Sequence, residues 1–125
     1  MIVRCCMEFV FDNDLPIYIQ LVEQIKFFII SGTLAPGERL PSVRELAMQT
    51  KVNPNTMQKA LGELEEQGLV FTERTNGKFV TNDALLIAGF KREYADAIAK
   101  NYLSAMHKLG YPQSEALAYL EQLGG

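Results

Sequence analysis

Residues 52–70 read VNPNTMQKALGELEEQGLV. Asn53 followed by Pro54 is a favourable helix opening. The asparagine side chain can cap the first turn, and proline at the first helical position presets φ where its missing N–H is not needed. Placed at about 100° per residue, Met57, Leu61 and Leu64, flanked by Ala60, fall on one side and read as core. Asn55 and Lys59 fall opposite, with Thr56 and Gln58 on the flanks. Gly62 and Glu66 extend the outward face, and Gly68 ends the helix. The charge along it is lopsided: Leu46 to Gly62 holds Lys51 and Lys59 and no acid, while Glu63, Glu65 and Glu66 crowd the far end. A helix whose N-terminal half lacks carboxylates and offers free N–H groups suits an anionic surface.

Upstream, SVRELAMQ (42–49) carries an S-x-x-E capping box, Ser42 with Glu45. Val43, Leu46 and Ala47 supply its apolar side, and the helix stops around Thr50. LAPGERL (34–40) is a turn. Before it, Pro16 opens a helix with Asp14 as its expected cap. Ile17, Leu21, Ile25 and Phe28, with Val22 and Ile29 beside them, form the apolar stripe, and Ser31-Gly32 ends it. MEFVFDNDL (7–15) alternates and reads as a short strand or an extended arm.

Downstream, LVFTERTNGKFVTN (69–82) is two β-rich runs around Asn76-Gly77, the signal for a hairpin with a type I′ turn. Arg74 and Lys78 flank its tip. From Asp83 to Leu109 one long helix repeats Ile87, Phe90, Tyr94, Ile98, Tyr102, Ala105 and Leu109 at three and four. Gly110 and Pro112 break it. A short last helix carries Ala116, Leu117, Leu120 and Leu123.

The whole chain has 125 residues, 48% hydrophobic and 22% charged, which fits one small domain, or one with an appended piece. No stretch approaches the roughly 18 apolar residues of a membrane span, and the start has no signal-peptide pattern, so a cytoplasmic location is expected. Cys5 and Cys6 are adjacent, rarely pair with each other, and cannot alone build a metal site. A redox switch is a weaker reading than an unremarkable leader, and Met7 is a candidate natural start. No Ser/His/Asp, Cys/His or metal-spaced set occurs, and His107, the single histidine, falls in the tail. The expectation is no enzyme, no cofactor and no metal. The net charge of −3 argues against a nucleic-acid partner until the local distribution is considered: Arg74 to Asn82 again holds two cations and no acid.

Helix, turn, capped helix, short turn, helix, hairpin is the order of a winged helix-turn-helix. The expected fold is mainly α with a small β-hairpin, a winged helix-turn-helix followed by a two-helix dimerisation tail. In such a fold the second helix of the pair enters the DNA major groove with its N-terminal residues on base edges. The stretch PIYIQLVEQIKFFIISGTLAPGERLPSVRELAMQTKVNPNTMQKALGELEEQGLVFTERTNGKFV (16–80) resembles the DNA-binding domain of the GntR family of bacterial transcription regulators. The resemblance covers about residues 15–82, and the short helical remainder is similar to the YtrA-like branch. It implies DNA contacts from Arg44, from Asn53, Pro54, Asn55, Thr56, Gln58 and Lys59, and from Asn76, Gly77 and Lys78 at the wing. The chain departs from common family patterns at Asn53-Pro54 (often Ser-Arg), at Gln58 (often arginine) and at Thr75-Asn76-Gly77-Lys78 (often Gly-x-Gly-Thr).

From chemistry, Asn55 and Gln58 can form paired hydrogen bonds to adenine, and Thr56 can touch a thymine methyl or a phosphate. Arg44 and Lys59 suit phosphates. Asn53 and Gly77 also have ordinary duties, as cap and turn residue. With Ser42 and Arg74 added, the candidate DNA-binding set is Ser42, Arg44, Asn53, Pro54, Asn55, Thr56, Gln58, Lys59, Arg74, Asn76, Gly77 and Lys78. Residues 1–14 are assigned to the arm, 15–82 to the DNA-binding domain and 83–125 to the tail. The stripe from Ile87 to Leu109 is the expected dimer interface, because one short helix cannot bury it; the alternative is a tail folded back on its own winged helix. A dimer implies an inverted-repeat operator, and repression is the family expectation. Tyr94, Tyr102, His107, Tyr111 and Tyr119 are candidates to line a small-molecule effector pocket, although aromatics at helical spacing are more often core. The rival reading is a winged-helix protein-interaction module without DNA binding.

Overall fold

A computed structural model describes residues 7–124; Cys5 and Cys6 lie outside the described residues. The order is α1 (Ile17–Ser31), α2 (Val43–Thr50), α3 (Pro54–Glu66), β1 (Val70–Glu73), β2 (Gly77–Val80), α4 (Ala84–Lys108) and α5 (Gln113–Gly124). This is a mostly helical chain with one antiparallel hairpin. It divides into two compact units at Gly89/Phe90.

In the first unit α3 packs against α1, α2 and β1. Leu21, Ile25 and Ile29 of α1, Leu46 of α2, and Met57, Leu61 and Leu64 of α3 are buried together with Leu34, Leu69 and Val80. Each such side chain contributes about 1.5–3 kcal/mol of burial. The α3 core face is the one the periodicity selects. On α1 the buried stripe is shifted: Ile17 is partly exposed, Ile30 is buried, and Gln20 is buried among the apolar residues.

Gln20 is buried because it holds the N-terminal arm. Its Oε1 accepts Asp12 N–H at 2.6 Å, and its Nε2 donates to Asp12 O at 2.7 Å and Leu15 O at 2.8 Å. One turn on, Gln24 does the same for Val10, accepting its N–H at 3.0 Å and donating to its carbonyl at 2.6 Å. Two side-chain amides thus replace a neighbouring strand. Residues 7–16 form no strand and turn at residues 13–15; the arm is anchored by buried Met7 and by Phe9 against Phe28. Asp14 does not cap α1. The N-cap is Pro16, with no side-chain cap bond, and Asp14 N–H instead donates to Asp12 Oδ1.

The hairpin register pairs Val70 with Val80 and Glu73 with Gly77, leaving Arg74, Thr75 and Asn76 as the loop. The expected type I′ turn is absent, because Asn76 does not take a positive φ. Asn76 N–H closes a β-turn onto Glu73 O, and Gly77 alone takes φ 101°. This is a longer loop in which glycine absorbs the left-handed step. A further pairing widens the hairpin: Arg39 bridges Phe79, flanked by Val80 N–H to Glu38 O at 2.9 Å and Leu40 N–H to Lys78 O at 2.8 Å.

In the second unit Tyr102 O–H donates to Ala116 O at 2.8 Å, and buried Met106 and Ala116 mark where the two helices meet. No helix among the described residues is long and apolar enough to cross a membrane.

Candidate nucleic-acid interface

The surface starts from two helix caps. At α3, Asn53 Oδ1 accepts Asn55 N–H at 2.7 Å, Pro54 occupies the first turn, and no acid falls in that turn. Asn53, Pro54, Asn55, Gln58 and Lys59 are exposed and Thr56 is half-buried. At α2 the capping box is complete: Glu45 N–H donates to Ser42 Oγ at 3.1 Å, and Ser42 N–H donates to Glu45 Oε1 at 3.0 Å. Those bonds from Ser42 hold the Glu45 carboxyl below its ordinary range. The reciprocal cap fixes the first turn of α2 and so the root of the exposed Arg44.

Lys59 is steered rather than loose. Its Nζ lies 4.6 Å from the centroid of the Tyr18 ring on α1, a cation–π contact that positions the charge without neutralising it. Tyr18 O–H reaches Glu63 Oε1 at 3.5 Å, and burial together with Glu63 raises the Tyr18 pKa. The glutamates late in α3 are thus partly occupied by the scaffold. Glu65 accepts from Lys78 Nζ at 2.7 Å and from Thr72 Oγ1, and Lys78 also donates to Thr72 Oγ1 at 3.0 Å. Burial alone would raise the Glu65 carboxyl, but the bonds and charge from Lys78 and the bond from Thr72 outweigh it and lower the pKa.

At the wing, Arg74 and Asn76 are exposed, while Gly77 and Lys78 are half-buried. Asn76 Nδ2 donates to Glu73 Oε2 at 3.0 Å. A cleft of about 410 Å³ runs between the wing and the start of α2; it brings Ser42, Arg74, Gly77 and Lys78 of the sequence-derived set together and adds Arg39. Asn53 and Thr56 line a second cleft of about 370 Å³ with Lys51 and with Phe11 of the arm. Sequence reasoning missed Arg39, because LAPGERL reads as a turn and nothing local marks its pairing to β2.

Of the tail stripe, Ile87, Phe90, Tyr94 and Tyr102 are half-buried, and Ile98, Ala105 and Leu109 are exposed. Ile98 and Tyr102 line an apolar groove of about 480 Å³ with Leu103, Leu117 and Leu120. Among the five effector-pocket candidates, that groove takes in Tyr102; Tyr111 packs edge-on against Tyr119 at 6.0 Å.

Residues 17–80 match the family model described as "Bacterial regulatory proteins, gntR family". The chain is 38% identical over 111 residues to the uncharacterised HTH-type transcriptional regulator YhcF of Bacillus subtilis, covering 89% of this chain and 92% of that one. It is 45% identical over 72 residues to the HTH-type transcriptional repressor YtrA of the same organism, covering 58% of this chain and 55% of YtrA. A GntR family transcriptional regulator from Listeria monocytogenes superposes with TM-score 0.79 and 39% identity over 90% of this chain and 98% of that one. AraR(DBD) in complex with operator ORX1 superposes with TM-score 0.55 and 34% identity over 59% of this chain and 95% of that one.

Proposed function

The chain belongs to the gntR family of DNA-binding bacterial transcription regulators, in its YtrA-like branch, and from that premise we propose that it is a repressor acting as a homodimer on an inverted-repeat operator. One observation carries the reading: the exposed first turns of α3 combine Asn55, Gln58 and Lys59 with no carboxylate. A protein-interaction surface would have no need to exclude acids there. Asn55 and Gln58 read base edges in the major groove, Thr56 supplies a methyl or hydroxyl contact, and Arg44 and Lys59 bind phosphates. Pro54 and Asn53 set the helix start against the backbone. Ser42, Arg74, Asn76, Gly77 and Lys78 border the strand that passes between wing and α2. The match to AraR(DBD), a domain seen with its operator, supports DNA as the partner of this domain, and the match to YtrA, a repressor, supports the sign of regulation.

The tail supplies the two-fold. Its apolar groove and the stripe along α4 suit a second copy, which would set two α3 helices about one DNA turn, or a multiple, apart. Residues 15–82 then form the DNA-binding domain, 83–125 the dimerising tail and 1–14 the arm. The test is a gel shift with DNA from upstream of its own gene across a salt series. Binding should weaken steeply with salt. Binding that is absent, or indifferent to salt, would favour the protein-interaction reading instead.

A further inference from the structure

Arg39 stands directly opposite Phe79 in the bridge to β2, and residues so paired share one face of a sheet. That face is the outer one. Phe71 and Phe79 stack there at 5.6 Å, whereas the Val70–Val80 pair is buried on the other. Gly77, two residues before Phe79, lies on the same outer face. A Cβ at Gly77 would come within 3.3 Å of Arg39 Nε. Glycine therefore has a second role beside its φ of 101°: it leaves the space in which the guanidinium lies against the wing tip. Arg39 is nonetheless exposed. Among the described residues no carboxylate lies within ion-pair distance of it, whereas Lys78 is bonded to Glu65 at 2.7 Å. Glu45 and Glu73, which share its cleft, accept bonds from Ser42 and Asn76, and the Arg39 charge reaches Glu45 only as the smallest of the causes that lower its carboxyl.

We propose that Arg39 is a DNA-backbone contact of the wing, its guanidinium binding a phosphate of the duplex beside Gly77. The proposal rests on the DNA-binding reading above. The planar, always charged fork of arginine fits a phosphate in two-point geometry, and a side chain already laid against the tip loses little freedom on binding. The wing's own lysine is committed to α3, so Arg39, from a segment far away in sequence, joins Arg74 as an exposed cation at the tip. Such a contact fixes register and carries no base preference.

The test uses the full chain and its upstream DNA, with a scrambled duplex of equal length alongside, in anisotropy titrations over a salt series. Arg39→Met keeps the aliphatic stem and removes the charge. It should bind both duplexes about 5–20-fold more weakly, with the slope of log affinity against log salt reduced by about one. Arg39→Lys should regain most of that slope. Wild-type-like binding by Arg39→Met overturns the proposal. So does a loss confined to the upstream DNA, or a loss with unchanged slope and a lowered melting temperature, which would mark a packing role. If the wild-type protein shows no salt-sensitive binding, the DNA reading itself falls; if only the Arg39 result fails, that reading stands.

Discussion

Lys78 Nζ stands 2.7 Å from Glu65 Oε1, so the second strand of the hairpin is tied to the last turn of α3 by a charge-assisted bond. With Thr72 bonded to both, three side chains from α3, β1 and β2 hold the wing at one angle to the helix. The wing's position is thus a property of the free protein. Lys78 thereby helps to aim the hairpin, and Arg74 and Arg39 are the exposed positive charges beside it.

Despite burial, the bonds from Lys78 and Thr72 hold the Glu65 carboxyl below its ordinary value, which fixes the sign of a pH effect. A carboxyl with a lowered folded pKa adds stability that is fully present above about pH 4.5 and is lost as pH falls through the folded value. Glu65→Gln should cost about 1 kcal/mol or less at neutral pH, since the pair is partly solvated. Between pH 5 and about pH 3 its melting temperature should fall less steeply than that of the wild type. Parallel curves for the two proteins would remove Glu65 from the acid response.

Gln20 holds the arm with three hydrogen bonds from a buried position at 7% exposure. Gln20→Leu keeps the size and strips those bonds, leaving the Asp12 and Leu15 backbone groups without their partner. The expected loss is about 1–3 kcal/mol in urea unfolding. Hydrogen exchange at Val10 and Asp12 should speed up far more than in α3. Unchanged protection at those two amides would mean that the arm is held by Met7 and Phe9 instead.

Legibility followed locality. Ser42 with Glu45, Asn53 with Pro54, and Gly32 after Ser31 are signals within one helical turn, and each appears as read. The α3 faces also followed from spacing alone. What escaped was held at long range. Gln20 and Gln24 look like polar interruptions of α1 until the arm lies beside them. Arg39 looks like part of a turn until β2 pairs with it. Asn76-Gly77 marked the hairpin but not its loop, because the Glu73–Gly77 register places glycine in the strand.

Lys51 is the only described non-glycine residue with positive φ, at 59°, closing α2. A left-handed residue with a Cβ costs about 1 kcal/mol, which glycine relieves at the price of some unfolded-chain entropy. Lys51→Gly and Lys51→Ala both lose the charge, but only glycine relieves the strain. The glycine variant should therefore be more stable than the alanine variant by about 1 kcal/mol in chemical denaturation. Equal stabilities would show that the turn can relax around a side chain.

Ile98 is 65% exposed beside Leu117 and Leu120, which are 51% and 45% exposed. Within one chain a charge at this position meets water, so Ile98→Glu should change the stability of the single chain by no more than about 0.5 kcal/mol, the loss of the dimer adding a further, concentration-dependent decrease. Between two copies it would bury an unpaired carboxylate, which apolar packing cannot accommodate. Sedimentation velocity should show the wild type as a dimer and Ile98→Glu as a monomer at the same concentration. Loss of the dimer should weaken binding to a two-half-site duplex much more than to a single half-site, because the second contact ceases to be intramolecular. A wild-type monomer, or a dimer that survives Ile98→Glu, would mean that the groove on the tail faces something other than its twin, and the inverted-repeat expectation would lose its structural basis.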